Sequence, residues 1–467
     1  MAQRISHWAR LAISHPTVQI SLGLFVAAAV GFLTSLAPET SVAGIIALFG
    51  MLLFGSLILM RTEPQDREFL LALFILGFSL RALLAVFLHY FPIVPEMDAG
   101  SYARHGWNLA RFWKGDILQR PTFANPEYVH MNAIIFFVVG YSPLSVKIIN
   151  CFFGILTSIC MYFIAKPVFG KRIAGIASAL TAFFPSLVLW STQNLRDTLI
   201  IFFLCLSVWG ITGMRRGWNR RYLFGVPFFF WMLRMLRPTT FDGLVPSLIL
   251  SIPLIMKSSR RQLLALGGLI SLWLLDFLVL KEIGVSPIKS LVWNSWPAGG
   301  QLHSILGHLR YQLNTIVSGV LYFRRGGSLD TAALPVPTLN SWKDLLLFMP
   351  EALTHYLLRP FPWERPTSLP AVMTIPEMLA WYALIPFTVL GMLDAARKRL
   401  AEIAPILMFT IFFTLLDALA IGNLGAAYRH RTQVWVFFLL FASVGIGHVL
   451  SLPKGRVLGH NTTTDLE

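Results

Sequence analysis

Cysteine is nearly missing from this chain: three in 467 residues, Cys151, Cys160 and Cys205. All three fall within apolar stretches, so no disulfide framework is available and no loop carries a thiol to oxidise. Charge is scarce as well. Asp, Glu, Lys and Arg make up 13% of the residues, about half the share of an ordinary soluble domain, which excludes a water-soluble globule of this length. Acids are the scarcest, 22 against 38 Lys plus Arg, for a net charge of +16. Familiar catalytic signatures are missing too. The histidines form no metal-ligand spacing with a partner acid, and there is no G-x-S-x-G, no phosphate loop before a Lys and no dinucleotide fingerprint. No small-residue cleavage site precedes the first apolar run, so residues 1–19, basic and mildly amphipathic, read as a cytoplasmic interfacial segment rather than a signal peptide.

What the chain has in abundance is long hydrophobic runs. Hydrophobic residues make up 56% of it and the mean hydropathy is +0.66. Apolar length predicts an all-α, polytopic transmembrane helical bundle of about twelve spans. These lie near 17–37, 41–60, 69–91, 143–165, 172–190, 195–214, 222–237, 239–256, 262–281, 376–394, 402–421 and 432–451. With the N-terminus inside, every cytoplasmic turn is basic: Arg61 and Arg67, Lys171 and Arg172, Arg215 to Arg221, Lys257 to Arg261, Arg397 to Arg399, Lys454 and Arg456. Both termini then lie inside, and the positive excess encodes orientation, not nucleic-acid binding. Four regions follow. Residues 1–68 hold the interfacial segment and two additional spans. Residues 69–281 form a core whose first outer loop is 92–142. Residues 282–375 are a large extracytoplasmic loop, and 376–467 hold three spans and a short tail. Both long outer loops are expected to carry short interfacial helices, one within 102–116 and one near 344–358.

Ionisable side chains at membrane depth are costly, so each is a candidate for function. Glu96-Met97-Asp98 and Tyr102 follow directly on the third span, at the membrane surface. A carboxylate there can take a proton from a hydroxyl or hold a cation; Asp98 equally suits an N-cap for a helix starting at Ala99. Asp98 and Tyr102 share one helical face in either case. Arg81 sits mid-span, where an ion pair with a span acid is the bland alternative. Arg196 and Asp197 open the sixth span on the outer side. Arg196, Arg234, Arg237, Arg429 and Arg431 all fall at outer helix ends, where the positive-inside rule predicts few. Guanidinium is the natural partner of phosphate; singly each Arg can be a snorkelling or ion-paired residue, but together the five favour a shared anionic ligand, of which a lipid-linked phosphate is the simplest at that depth.

The order of these features resembles a known family. The run Ser79-Leu80-Arg81-Ala82 leads into Pro95-Glu96-Met97-Asp98 and Tyr102; Pro126-Glu127-Tyr128, Gly140-Tyr141-Ser142, Phe169-Gly170-Lys171, Phe184-Pro185-Ser186 and Asn194-Leu195-Arg196-Asp197 follow. Over roughly residues 69–240 the chain resembles the integral-membrane glycosyltransferases of the GT-C superfamily, the group that includes protein O-mannosyltransferases and lipid A aminoarabinose transferases. Tyr428-Arg429-His430-Arg431 also looks family-like. The resemblance implies a polyprenyl-phosphate sugar as donor, a glycan, lipid or protein acceptor, and an active site on the extracytoplasmic face of a membrane, here a bacterial inner membrane. It assigns catalysis to Asp98, with Glu96 the neighbouring alternative, and to Asp197. Tyr102 and the outer arginines fall to substrate binding, and a divalent cation, Mg or Mn, is left open. Two departures stand out: the first two spans precede the family-like core, and 282–375 matches no motif. A rival of similar span count is an O-antigen polymerase or ligase working through loop residues such as His308, Arg310, Arg324 and Arg325. A lipid-linked saccharide flippase is a third reading, disfavoured by outer-face clustering and the lack of an inverted repeat.

Overall fold

A computed structural model describes residues 38–94, 97–123, 126–214, 220–255, 341–364 and 369–451. Regular structure among them is helical: α1 Pro38–Met60, α2 Pro64–Tyr90, α3 Met97–Lys114, α4 Pro126–Val139, α5 Pro143–Phe169, α6 Lys171–Phe183, α7 Pro185–Ser191, α8 Asp197–Met214, α9 Arg220–Leu236, α10 Pro238–Ile255, α11 Trp342–Leu358, α12 Leu369–Ala420, α13 Leu424–His430 and α14 Thr432–Ser451. Proline opens α1, α2, α4, α5, α7 and α10, the position where its missing N–H has no intrahelical partner to lose. Between α5 and α6 the chain turns at Gly170, whose φ of 85° disfavours any side chain.

Six of these helices are long and apolar enough to cross a membrane: α1, α2, α5, α8, α12 and α14. The pair α6–α7, bent by 55° at Phe184, makes a seventh if counted as one span. The chain is an integral membrane protein with an all-helical fold. The expected spans 17–37 and 262–281 lie outside the described residues, as do His308, Arg310, Arg324 and Arg325 of the large loop. Those expected at 222–237 and 239–256 are α9 and α10, neither among the six. The two expected at 376–394 and 402–421 are two helical arms that meet within α12 at Arg399, where φ −143° and ψ 27° are non-helical. The arms on either side, 369–398 and 400–420, run roughly 45 and 30 Å at 1.5 Å per residue, against a hydrocarbon thickness of about 30 Å.

Contacts sort the helix ends into two layers. At one end Asp66 of α2 is buried beneath Lys166 and Lys171, 2.5 and 3.2 Å away, and accepts the Tyr162 hydroxyl at 2.8 Å. Arg399 caps the same end by donating to the Val168 carbonyl. The other end gathers the C-terminus of α2, the N-termini of α5, α8 and α14, and the short helices α3, α4, α7 and α13. There α3 packs Ala99, Tyr102, Ala103, Leu109 and Ala110 inward at three- and four-residue spacing. A Cβ on its Gly106 would meet Asn132 of α4 at 2.6 Å, so the two helices touch backbone to backbone. In the last hairpin, a Cβ on Gly391 would fall 1.8 Å from the Phe441 carbonyl and one on Gly445 2.0 Å from that of Phe387. Small residues at both crossings let α12 and α14 pack at close range.

Mid-span Arg81 is fully buried and finds no acid among its hydrogen-bond partners. It donates to the Ala182 carbonyl (2.7 Å), the Gly77 carbonyl (3.1 Å) and Ser191 Oγ (3.0 Å). The cation thereby satisfies the C-terminal end of α6, where the helix dipole is negative, and ties it to α7 across the break.

Candidate active site

The break and its neighbours deliver side chains to one spot. After α7 the segment Thr192 to Arg196 is non-helical, and buried amides fix its course. Tyr128 Oη donates to Asn194 Oδ1 at 2.8 Å, and Asn194 Nδ2 donates to Asn132 Oδ1 at 2.8 Å. Asn150 Nδ2 lies within bonding range of Tyr128 Oη (2.9 Å) and of the Gln193 and Leu195 carbonyls (2.8 and 3.0 Å). Tyr128, Asn132, Asn150 and Asn194 are at most 1% exposed, and α4, α5 and the α7–α8 turn become one unit. Asp197 therefore starts α8 at a fixed place.

Around Asp197 the charges converge. Arg429 of α13 donates Nε and Nη2 to Asp197 Oδ2, both at 2.6 Å, and Nη1 to Asp98 Oδ2 at 2.7 Å. One guanidinium thus bridges two carboxylates that lie on α3 and α8. Arg237, at the break between α9 and α10, places Nη2 3.1 Å from Asp197 Oδ1. Arg196 donates to the Leu236 carbonyl at 2.9 Å, locking the α7–α8 turn to that same break. Helix α13 is itself set by Asn423, whose Oδ1 accepts from the N–H groups of Gly425 and Ala426 at 2.7 and 3.2 Å.

The two acids differ in setting. Asp197 is completely buried, whereas the Asp98 side chain is 60% exposed. Burial alone would lower the Arg429 pKa, but the Asp197 and Asp98 carboxylates outweigh it and raise the pKa above its ordinary value. Tyr102, one turn after Asp98, is buried edge-on against Tyr128 with ring centroids 4.9 Å apart, and burial raises its phenol pKa.

Of the residues singled out in the sequence, Asp98, Asp197, Arg237 and Arg429 come together, with Arg196 beside them and Tyr102 behind Asp98. Arg234 is buried one turn before Arg237. Glu96 lies outside the described residues. Arg431 goes elsewhere: fully buried, it donates Nη1 to the carbonyls of Tyr356 (3.1 Å) and Arg359 (2.8 Å) and lies over the rings of Tyr428 and Trp435. It braces α11 against the start of α14. In the sequence Tyr128 and Asn194 stand within family-like motifs but carry no assigned role, and Asn132 and Asn150 are left out, because a filter on charge ignores neutral amides; three asparagines in or beside apolar helices are the signal that would have found the network.

A divalent cation does not fit this arrangement as it stands. Both carboxylates are engaged by guanidinium, and among the described residues no group of three or more His, Cys, Asp or Glu converges. Hard cations want several oxygens in one shell. The donor set is that of an anion site flanked by acids: Arg196, Arg237 and Arg429 outnumber Asp98 and Asp197.

Comparison with known proteins finds partial matches. A family model described as dolichyl-phosphate-mannose-protein mannosyltransferase matches residues 125–280. That stretch holds the amide network, Asp197 and Arg237. The match fits a GT-C type membrane glycosyltransferase. Among curated proteins, the polyprenol-phosphate-mannose–protein mannosyltransferase of Corynebacterium glutamicum is 25% identical over 126 residues, 25% of this chain and 24% of that protein. The chain thus spans about a quarter of the length of the curated relative it matches. Among solved structures, the archaeal oligosaccharyltransferase AglB from Archaeoglobus fulgidus, in complex with an inhibitory peptide and a dolichol-phosphate, superposes with a TM-score of 0.43 at 15% identity, covering 81% of this chain and 50% of that one.

Proposed function

We propose that this protein transfers a glycosyl group from a polyprenyl-phosphate donor to the hydroxyl of an acceptor, at the membrane surface on the extracytoplasmic side. The observation that carries the reading is the Asp98–Arg429–Asp197 bridge, with Arg237 behind it. A glycosyl phosphate already holds a good leaving group. The chain must remove the acceptor proton and stabilise the departing phosphate. Asp98, ion-paired and exposed, takes the proton on a carboxylate oxygen. The acceptor oxygen bonds to the anomeric carbon as the bond from that carbon to the phosphate oxygen breaks. The electron pair leaves with the phosphate, whose negative charge Arg429, with Arg237 and Arg196 nearby, compensates without proton transfer. Asp197 is a positioning residue: buried, it anchors two guanidinium groups that would otherwise repel. Partners on this reading are membrane lipid, the prenyl-linked sugar and a glycan, lipid or protein acceptor; a bacterial inner membrane is the proposed location.

Donor identity is approached through the relatives, whose names specify mannose. In proteoliposomes given decaprenyl-phosphate mannose and an extract of cell-envelope acceptors, the wild-type protein should form labelled product. Asp98→Asn should reduce it by about 10²-fold or more, the worth of one general base. Full transfer by Asp98→Asn would remove the base assignment.

A further inference from the structure

The geometry points to Arg429 as a donor-displaced latch: it holds Asp98 until a prenyl phosphate takes over its Nη1, so that the base is released only when donor is in place. The inference rests on the function proposed above and concerns its order of events.

The argument is the inequality of the two ends of one guanidinium. On the Asp197 side, Nε and Nη2 both bond Oδ2 at 2.6 Å, to an acid with no solvent exposure. Asp197 also has Arg237 at 3.1 Å, so its burial is doubly compensated. Breaking that side would leave charge stranded in the interior, the most expensive rearrangement available. On the Asp98 side a single bond, Nη1 to Oδ2 at 2.7 Å, reaches an acid 60% open to solvent. Exposed ion pairs are weak because water competes for both partners. An anion arriving from the open side therefore meets a guanidinium that is fixed at one end and exchangeable at the other. Arg196 and Arg237 make the locality net positive, so that a phosphate oxygen has more to gain at Nη1 than the Asp98 carboxylate has to lose to water. Nothing covalent changes in this exchange: Nη1 passes from one oxygen acceptor to another and Asp98 Oδ2 is left free. Before the exchange, Asp98 Oδ2 is held by the guanidinium; after it, both carboxylate oxygens are open to an acceptor's proton.

The consequence is measurable as competition. If Asp98 and phosphate contend for Nη1, abolishing the Asp98 charge must tighten phosphate binding. Titrating decaprenyl monophosphate into the full-length protein in nanodiscs, Asp98→Asn should lower Kd by about two- to fivefold, the range of an exposed pair. The effect must run through the guanidinium. In an Arg429→Gln background the same Asp98→Asn change should leave Kd unaltered. If Arg429→Gln does not fold, Arg429→Lys serves, since a single ammonium stays with buried Asp197 and cannot span both acids. An unchanged or weaker Kd for Asp98→Asn alone overturns the latch. So does tightening that persists in the Arg429 variants, which would be through-space repulsion between Asp98 and ligand. The two proposals fail separately. Lost transfer with unchanged Kd leaves Asp98 as base and removes the latch; tightened binding with intact transfer leaves the latch and removes the base.

Discussion

The acids at positions 98 and 197 look alike in the sequence and differ physically by what surrounds them. Breaking a buried ion pair from one side costs about 3–5 kcal/mol, because the partner charge is left unpaired. An exposed pair is worth at most about 1 kcal/mol. Asp197→Asn strands Arg237 and part of Arg429 in the interior; it should lower the thermal midpoint of the detergent-solubilised protein by several degrees and abolish phosphate binding as well. Asp98→Asn should leave that midpoint within about a degree while transfer is lost. Equal destabilisation by the two would contradict the burial difference. His430, next to Arg429, adds a pH response. Its Nδ1 lies 3.8 Å from Asp417 Oδ2, and Arg237 and Asp197 also act on it. Burial, then Arg237, hold its imidazole below the ordinary value near 6.5; the Asp417 carboxylate opposes them without prevailing. As pH falls, the unfolded chain takes up this proton first. Stability is thus fully present above pH 6.5 or so and is lost as pH falls through the depressed native pKa. Melting curves between pH 7 and 5 should show this slope, and His430→Gln should flatten it relative to wild type.

Among elements, the short broken pieces matter more to the site than the long spans. Helix α7, seven residues long, is held by Arg81 at its C-terminal Ser191, and Trp190 beside it packs edge-on to Tyr428, with ring centroids 5.9 Å apart. The turn that follows is held by amides from α4 and α5. Tyr128→Phe removes one hydroxyl from that network and leaves Asn194 Oδ1 without its donor. A cost of about 1–3 kcal/mol is expected for such a buried orphan. Because Asp197 begins three residues later, transfer should fall with it, by more than the loss of folded protein explains; single-turnover rates normalised to folded protein would reveal this. An unchanged normalised rate would reduce the network to scaffolding. These elements also show what hydropathy can read. Long apolar runs announce α2, α5, α8 and α14 within a few residues. The 172–190 run reads as one span because Phe184-Pro185 changes backbone direction without changing hydropathy, and the structure bends there by 55°. The gap around Arg399 reads as a loop between two spans, whereas the chain keeps helical hydrogen bonding on either side of one aberrant residue.

At the scale of the molecule, ionisable residues out of place in an apolar chain made Asp98, Asp197, Arg237 and Arg429 legible as candidates. Their mutual distances were not, since contacts between residues hundreds of positions apart leave no local pattern. Arg431 illustrates the limit: two residues from Arg429 and identical in type, it turns into the protein and bonds carbonyls. Orientation remains a sequence expectation and has a direct check. Native cysteines are all buried, so a single Trp363→Cys, at a residue 77% exposed on the loop beside Arg359, should react with impermeant maleimide from outside intact cells. Lys398→Cys, at the break in α12 in the opposite layer, should react only after permeabilisation; the reverse pattern would invert the topology. The Arg429–Asp98 bond joins positions 331 residues apart. During synthesis the acid emerges from the ribosome long before its counter-cation. Until Arg429, 232 residues further on, is in place, Asp197 has Arg237 but not its second guanidinium, so the half-made protein carries an incompletely compensated anion in its interior and gains competence for chemistry only when that distant cation arrives.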